Sequence, residues 1–283
     1  MPVDHKRLNG PEITIPYQLF DKLNTVPLKT QFTNIVKADG SRADGRSLKD
    51  HRKIFMKAGV VSHAKGSAYI ELDKTKVIVS VFDPREIPNR SEYSSKGEIY
   101  CEFKYAPFSC HKRRLHQQDS EELECSAIMK QALESAVFRH EFPNFQVDIY
   151  AMVLHNDGSA LSAAITAAGL ALAHAGIPMY DLITSVTLAV QGKTILIDPS
   201  LEEEQLCQVP LFKDEQNENH GIVMLSMLAT HEQISQFYQT GNLSYDSLSS
   251  GIDILTSATK DIVTLVKKCL VKHVLNTTRN VED

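Results

Sequence analysis

The stretch from Val147 to Gly176 leaves the fewest choices about what this chain can fold into. Val147, Ile149, Ala151 and Val153 alternate with Asp148, Tyr150 and Met152. That is the two-residue period of a β-strand, and its apolar character predicts burial on both faces. Asp157-Gly158-Ser159 then sets oxygen-bearing residues around a permissive glycine, and small helix-forming residues run on until Gly176 and Pro178 supply a stop. The expected unit is strand, tight turn, helix.

The helix is alanine-rich and apolar on nearly every side, with Ser162, Thr166 and His174 its polar members, so it belongs in the interior with close neighbours. Its start exposes unpaired N–H groups and the positive end of the helix dipole, which makes the turn a potential anion site. An anion site normally recruits a cation, yet no Lys or Arg occurs between His140 and Lys193. Most such turns bind nothing, and this one has the pattern of a phosphate cradle without its charge.

The 283 residues suffice for one large or two small domains, and 42% hydrophobic with 23% charged is ordinary for a globular chain. No apolar run reaches the ~18 residues that span a bilayer, and Met1-Pro2-Val3-Asp4-His5-Lys6-Arg7 has no apolar signal region. Cytosol or nucleus is the expected location. The five cysteines (Cys101, Cys110, Cys125, Cys207, Cys269) are scattered and form no C-x-x-C, which suggests neither a disulfide framework nor a zinc site. A net charge of −5 argues against a free-standing nucleic-acid binder, so any RNA contact must be local.

Residues 1–40 carry Pro2, Pro11, Pro16 and Pro27 without a sustained period and read as an extended arm. Arg42-Ala43-Asp44-Gly45-Arg46 reads as a solvated charged turn. Strands are expected at 58–61, 66–72 and 76–82, the last ending in Asp83-Pro84. The outline returns at 185–190 and 193–197, joined by Gln191-Gly192 and ending in Asp198-Pro199. A strand at 98–103 and a helix over about 121–138 follow the first pair. A strand at 221–227 and a C-terminal helix with an apolar stripe from Ile252 to Val274 follow the second. The chain looks like two similar α/β halves.

Cys110-His111-Lys112-Arg113-Arg114-Leu115-His116 is the densest basic run. It is able to grip phosphates, or to be a solvated loop balanced by Asp119, Glu121, Glu122 and Glu124. Asp198, at the end of a strand, is the best candidate acid because strand ends open onto crevices. Glu202, Glu203 and Glu204 follow on what reads as a loop; carboxylates beside an anion cradle are one way to hold a divalent metal, but a solvated Glu run is the commoner case. G-x-x-x-x-G-K-[ST], G-x-G-x-x-G, H-E-x-x-H and G-x-S-x-G are all absent, which removes the commoner nucleotide-binding and hydrolase readings.

In order and spacing, Arg42-x-Asp44-Gly45-Arg46, Lys65-Gly66-Ser67-Ala68, Thr75-Lys76-Val77, Asp83-Pro84-Arg85, Ala106-Pro107-Phe108-Ser109, the helix with Glu124, and Asp157-Gly158-Ser159 leading into Ala163-Ala164-Ile165-Thr166-Ala167 resemble the RNase PH family of phosphorolytic exoribonucleases. The resemblance covers about 42–275. The opening residues, with Gly10-Pro11-Glu12 and Ala58-Gly59-Val60 through Tyr69, are similar to RNase PH-like ring subunits of the eukaryotic RNA exosome. The implied fold is α/β (α+β), with two similar β-α-β-α subdomains whose central helices pack on mixed sheets. The divisions are an arm at 1–40, subdomains of about 41–140 and 141–275, and a tail at 276–283.

Active members of the family follow the Asp-Gly turn with a hydroxyl residue and an arginine that hold inorganic phosphate; those positions here are Ala160 and Leu161. They carry basic residues before the glutamate of the first long helix, where this chain has Ser120, Glu121 and Glu122. Of their two catalytic aspartates, Asp198 matches the first and Glu204 stands at the second. The resemblance therefore implies a non-catalytic ring subunit without metal or cofactor, the alternative being an active phosphate-dependent 3′→5′ exoribonuclease. It also implies other RNase PH-like ring subunits and cap subunits as partners, with RNA reached through the complex along Lys112, Arg113 and Arg114. The expected locations narrow to nucleus, nucleolus and cytoplasm. A small-molecule phosphotransferase is disfavoured by the missing glycine-rich loop.

Overall fold

The computed structural model describes residues 41–87, 93–110, 112–208 and 219–282; the expected arm at 1–40 lies outside them. The first sheet contains β1 (Ile54–Ala58), β2 (Gly66–Leu72), β3 (Thr75–Val81), β4 (Arg85–Glu86), β5 (Glu98–Tyr105) and β6 (Phe145–His155). β1, β2, β3 and β6 pair antiparallel in that sequence, β4 continues along β6 after Asp83-Pro84, and β5 pairs β6 in parallel. The second sheet is four-stranded and antiparallel, in the order β10 (Gln233–Asn242), β9 (His220–Leu228), β7 (Ile183–Gln191), β8 (Thr194–Ile197).

Four helices complete the described part: α1 (Ser120–Ala136), α2 (Ala160–Ala175), α3 (Leu201–Gln208) and α4 (Tyr245–Glu282). The alanine-rich α2 packs on β2 and β3 of one sheet and β7 of the other. Small residues make this possible. A Cβ at Gly66 would stand 2.2 Å from the Ala171 carbonyl oxygen, and one at Gly169 would stand 2.7 Å from that of Ile183. Leu170 and Leu172 of α2 and Ile183 of β7 are fully buried, each such side chain stabilising by about 1.5–3 kcal/mol.

The two halves are visible, with a different boundary. β6, which the sequence places in the second half, is the centre of the first sheet, because its apolar alternates pair with those of β3 and β5. The expectation that β6 is buried on both faces is also corrected: Val147, Ile149, Ala151 and Val153 are buried, while Met152 is 47% exposed. The strand expected at 58–61 lies at 54–58, since Gly59 turns left-handed at φ 72°. The Glu202–Glu204 loop is the first turn of α3, where acidic residues complement the helix dipole. Residues 276–282 continue α4 rather than forming a separate tail.

Past Leu270, which with Cys269 still packs partly buried against the core, the apolar stripe of α4 leaves it, and Val271, Val274 and Leu275 are exposed. This distal half is held by His273, whose Nε2 lies 3.1 Å from His174 Nε2. The Ser67 N–H donates to His174 Nδ1, which fixes the neutral tautomer with the proton on Nε2; His273 Nε2 then accepts.

Candidate active site

The site forms where the β6–α2 turn meets the end of β8. Gly158 and Ser159 both adopt positive φ, 86° and 54°. A Cβ at Gly158 would stand 2.5 Å from the Pro199 carbonyl oxygen, so glycine is what lets the two turns touch. Thr75 Oγ1 donates to the Gly158 carbonyl at 2.8 Å and accepts from Asp157 N at 3.1 Å. Leu201 N donates to the Asp157 carbonyl at 3.0 Å, and Ser159 Oγ to that of Pro199 at 3.2 Å.

Asp198 lies at this junction, in a left-handed conformation with φ 50° and buried. Both of its carboxylate oxygens are taken by Arg52. Nε and the backbone N–H of Arg52 donate to Oδ2 at 2.9 and 3.0 Å, and NH2 donates to Oδ1 at 2.6 Å. Burial by itself would raise this carboxyl, but the hydrogen bonds and charge of Arg52 outweigh it and hold the group below the ordinary carboxylate range. The same guanidinium donates to the carbonyls of Asp157 at 2.7 Å and Gly158 at 3.1 Å. Arg52 thus ties both turns together with its charge already matched.

A second buried arginine sits behind the first. Arg42, read from the sequence as part of a solvated turn, has no exposed surface. Its Nε donates to Glu203 Oε1 at 2.9 Å and its NH2 to Glu203 Oε2, while NH1 and NH2 donate to the carbonyls of Ile197 at 2.6 Å and Asp198 at 3.0 Å. Glu203 Oε2 also accepts from Ser200 N at 2.8 Å, capping α3. Arg46 adds a weaker contact to the Asp198 carbonyl at 3.3 Å. The turn is charged because it docks into a carboxylate-rich junction, where an unpaired acid would be costly.

At the start of α2 one N–H group of the anion cradle is met from within the chain. Ser159 N donates to Glu204 Oε1 at 2.7 Å. Glu204 is half-buried, and partial withdrawal of its carboxyl from water, with the nearby charges of Asp198 and Asp157, pushes it up to about 7 against the pull of Ser159 N–H and Arg52. Ala160 is buried and Leu161 packs partly buried against the core, so neither offers a polar group to the turn. Among the described residues, no group of three or more His, Cys, Asp or Glu side chains is placed to hold a metal ion.

The acidic residues at the start of α1 do other work. Glu122 is buried and its carboxylate accepts from Tyr105 N at 2.9 Å and Asp119 N at 3.1 Å. Glu121 Oε2 accepts from Arg114 NH2 at 2.9 Å, and the Arg114 guanidinium lies 4.2 Å from the centre of the Tyr105 ring. Arg114 is therefore committed within the chain, whereas Lys112 and Arg113 are exposed; His111 lies outside the described residues. Sequence reasoning missed Arg52 and Thr75. The signal for Arg52 is indirect: an aspartate at the end of a buried strand needs a cation, and the stretch from Arg42 to Lys53 is rich in them.

Comparison with known proteins decides the family. The "3' exoribonuclease family, domain 1" (RNase PH) matches residues 50–178. Exosome complex component RRP41-like of Arabidopsis thaliana is 36% identical over 232 residues, covering 82% of this chain and 85% of the relative. The chain belongs to the RNase PH family. Exosome complex component MTR3 of Homo sapiens is 36% identical over 222 residues, 72% of this chain and 76% of that protein. Rice (Oryza sativa) Rrp46 superposes with a TM-score of 0.66 at 24% identity, over 80% of this chain and 98% of the other. A chain of the Archaeoglobus fulgidus exosome with RNA bound to the active site does so with a TM-score of 0.68 at 21% identity, over 80% and 92%. The architecture is the RNase PH fold, and the match to residues 50–178 places β6 and α2 in the first domain, as the sheet does.

Proposed function

We propose that this RNase PH-family chain is a non-catalytic subunit of an RNA exosome ring, supporting 3′→5′ RNA processing and degradation by other subunits and lining part of the RNA path. Its relatives named as exosome components support the ring assignment. One observation carries the non-catalytic reading: the N–H group that opens α2 is already bonded to the chain's own Glu204 carboxylate. An incoming phosphate dianion would have to displace a half-buried carboxylate, past Asp198 whose oxygens Arg52 has taken. Such contacts in a preorganised site are each worth on the order of 10²–10³ in rate.

RNA contact in this reading falls to Lys112 and Arg113, through phosphates and without base preference, acting in nucleus, nucleolus and cytoplasm as part of the complex. The test is reconstitution with RNase PH-like and cap subunits. The chain should enter the assembly and be needed for its integrity, and RNA turnover by the assembly should not change when Ala160 and Leu161 are substituted. A chain that stays monomeric with every ring partner would overturn the proposal.

A further inference from the structure

The outer face of the first sheet breaks the rule for a sheet with one solvated side. Such strands alternate apolar inward and polar outward. Here the inward residues are buried as expected, yet one row of cross-strand neighbours on the outward face reads Lys57, Tyr69, Ile78, Met152, Lys104. Phe55, 53% exposed, packs edge-on to Tyr69 at one end of the face. Tyr150 takes Phe82 and Tyr100 edge-on at 5.7 and 6.1 Å at the other. Along this face Phe55, Phe82, Tyr100 and Met152 stay exposed among the described residues, while the inward side chains of the same strands are buried.

We infer that this face is the centre of an interface for a protein partner with an apolar surface and carboxylates at its rim. Size supports it: five strands at ~4.8 Å and four rows at ~6.8 Å enclose on the order of 400 Å². That is about half of one side of a standard interface, with Phe55, Phe82, Tyr100 and Met152 its exposed apolar members.

Charge selects the partner. The ion pairs inside the face are self-neutralising, Lys76 with Glu71 at 3.2 Å and Arg85 with Asp148 at 2.6 Å. Lys57 and Lys104 close the two ends of the row without an ion-pair partner among the described residues, against one comparable acid, Glu102, on a chain of net charge −5. A second copy of this chain would bring lysine-ended rows against lysine-ended rows. Single-stranded RNA needs open ring faces to stack on, whereas these rings are turned edge-on to one another around the aliphatic Ile78 and Met152.

The experiment uses the full chain, free and in the reconstituted assembly, and rests on the ring reading only for its choice of partners. Acetylation of Lys57 and Lys104 is quantified by mass spectrometry. The expected result is a fall in reactivity of both lysines of about tenfold on assembly. Affinity should also drop at least about tenfold in Lys57→Glu/Lys104→Glu, the loss shrinking at high salt. Met152→Asp, at an exposed position, should melt like the parent and assemble poorly. Equal reactivity of both lysines in the free and assembled states overturns the inference while leaving the ring reading intact; failure to assemble at all counts against the ring reading and this inference together. Protection that requires added RNA, or self-association of the free chain that Met152→Asp abolishes, overturns the choice of a heterologous protein partner.

Discussion

Replacing Glu204 with Gln isolates the half-buried carboxylate that meets the N–H of Ser159 at the start of α2. Gln keeps an oxygen for the Ser159 N–H, 2.7 Å away in the parent, and removes the charge. The Glu204 carboxyl is raised from its ordinary 4.5 to about 7 in the folded chain. Between those values the native state holds a proton that the unfolded state has released. This group's contribution is therefore favourable at low pH, declines as pH rises from about 5 to 7, and stays lost above 7. At about 1.4 kcal/mol per pH unit the whole effect is roughly 3 kcal/mol. Urea unfolding of parent and Glu204→Gln near pH 5 and pH 8 measures it. The variant should be more stable by only about 1 kcal/mol at pH 5 and by about 3 kcal/mol at pH 8. His51, which burial holds below its ordinary 6.5, titrates in both proteins and cancels from the difference. A stability difference that does not change with pH would refute the account of a carboxylate forced into the cradle.

Arg42→Ala and Arg52→Ala should each cost about 3–5 kcal/mol in chemical unfolding, because each strands a buried carboxylate. In the assembled ring, Lys112→Ala with Arg113→Ala should weaken RNA binding and reduce its logarithmic salt slope by about 0.7 for each phosphate no longer neutralised; Arg114→Ala should leave that slope unchanged and lower the melting temperature. As pH falls below 6.5, His174, which burial and His273 keep neutral, should protonate at Nδ1, lose the hydrogen bond from Ser67 N–H, turn out of its seat against His273 and free the distal half of α4. Amide exchange over 270–279 should then accelerate selectively, and His174→Gln should remove the pH dependence.

Periodicity carries most of this fold in the open. The strand at Phe145–His155, the turn and the helix to Ala175 are legible because alternation, a permissive glycine and a run of small residues agree. Gln233–Asn242 is not, since an edge strand with both faces polar has no apolar period to detect. Part of the junction is legible too: Asp198, placed by its sequence at the end of a strand, lies buried where the two turns meet. What stays hidden is pairing at long separation. Arg42 with Glu203 and Arg52 with Asp198 are joined across 161 and 146 residues, and a charged turn destined for burial has the same local composition as a solvated one. The outward residues Tyr150 and Met152 of β6 are legible as apolar and predict a second buried face, where the sheet leaves it open.

The proposed loss of phosphorolysis in this RNase PH-family chain rests on Glu204 meeting the Ser159 N–H at the start of α2. Release of nucleoside diphosphates from single-stranded RNA by the purified chain, measured across a range of inorganic phosphate concentrations, tests it most directly. The account predicts no release above background at any phosphate concentration, and none after Ala160→Thr with Leu161→Arg, since Glu204 and the Arg52-bound Asp198 remain. Release that rises with phosphate and disappears in Asp198→Asn would contradict it.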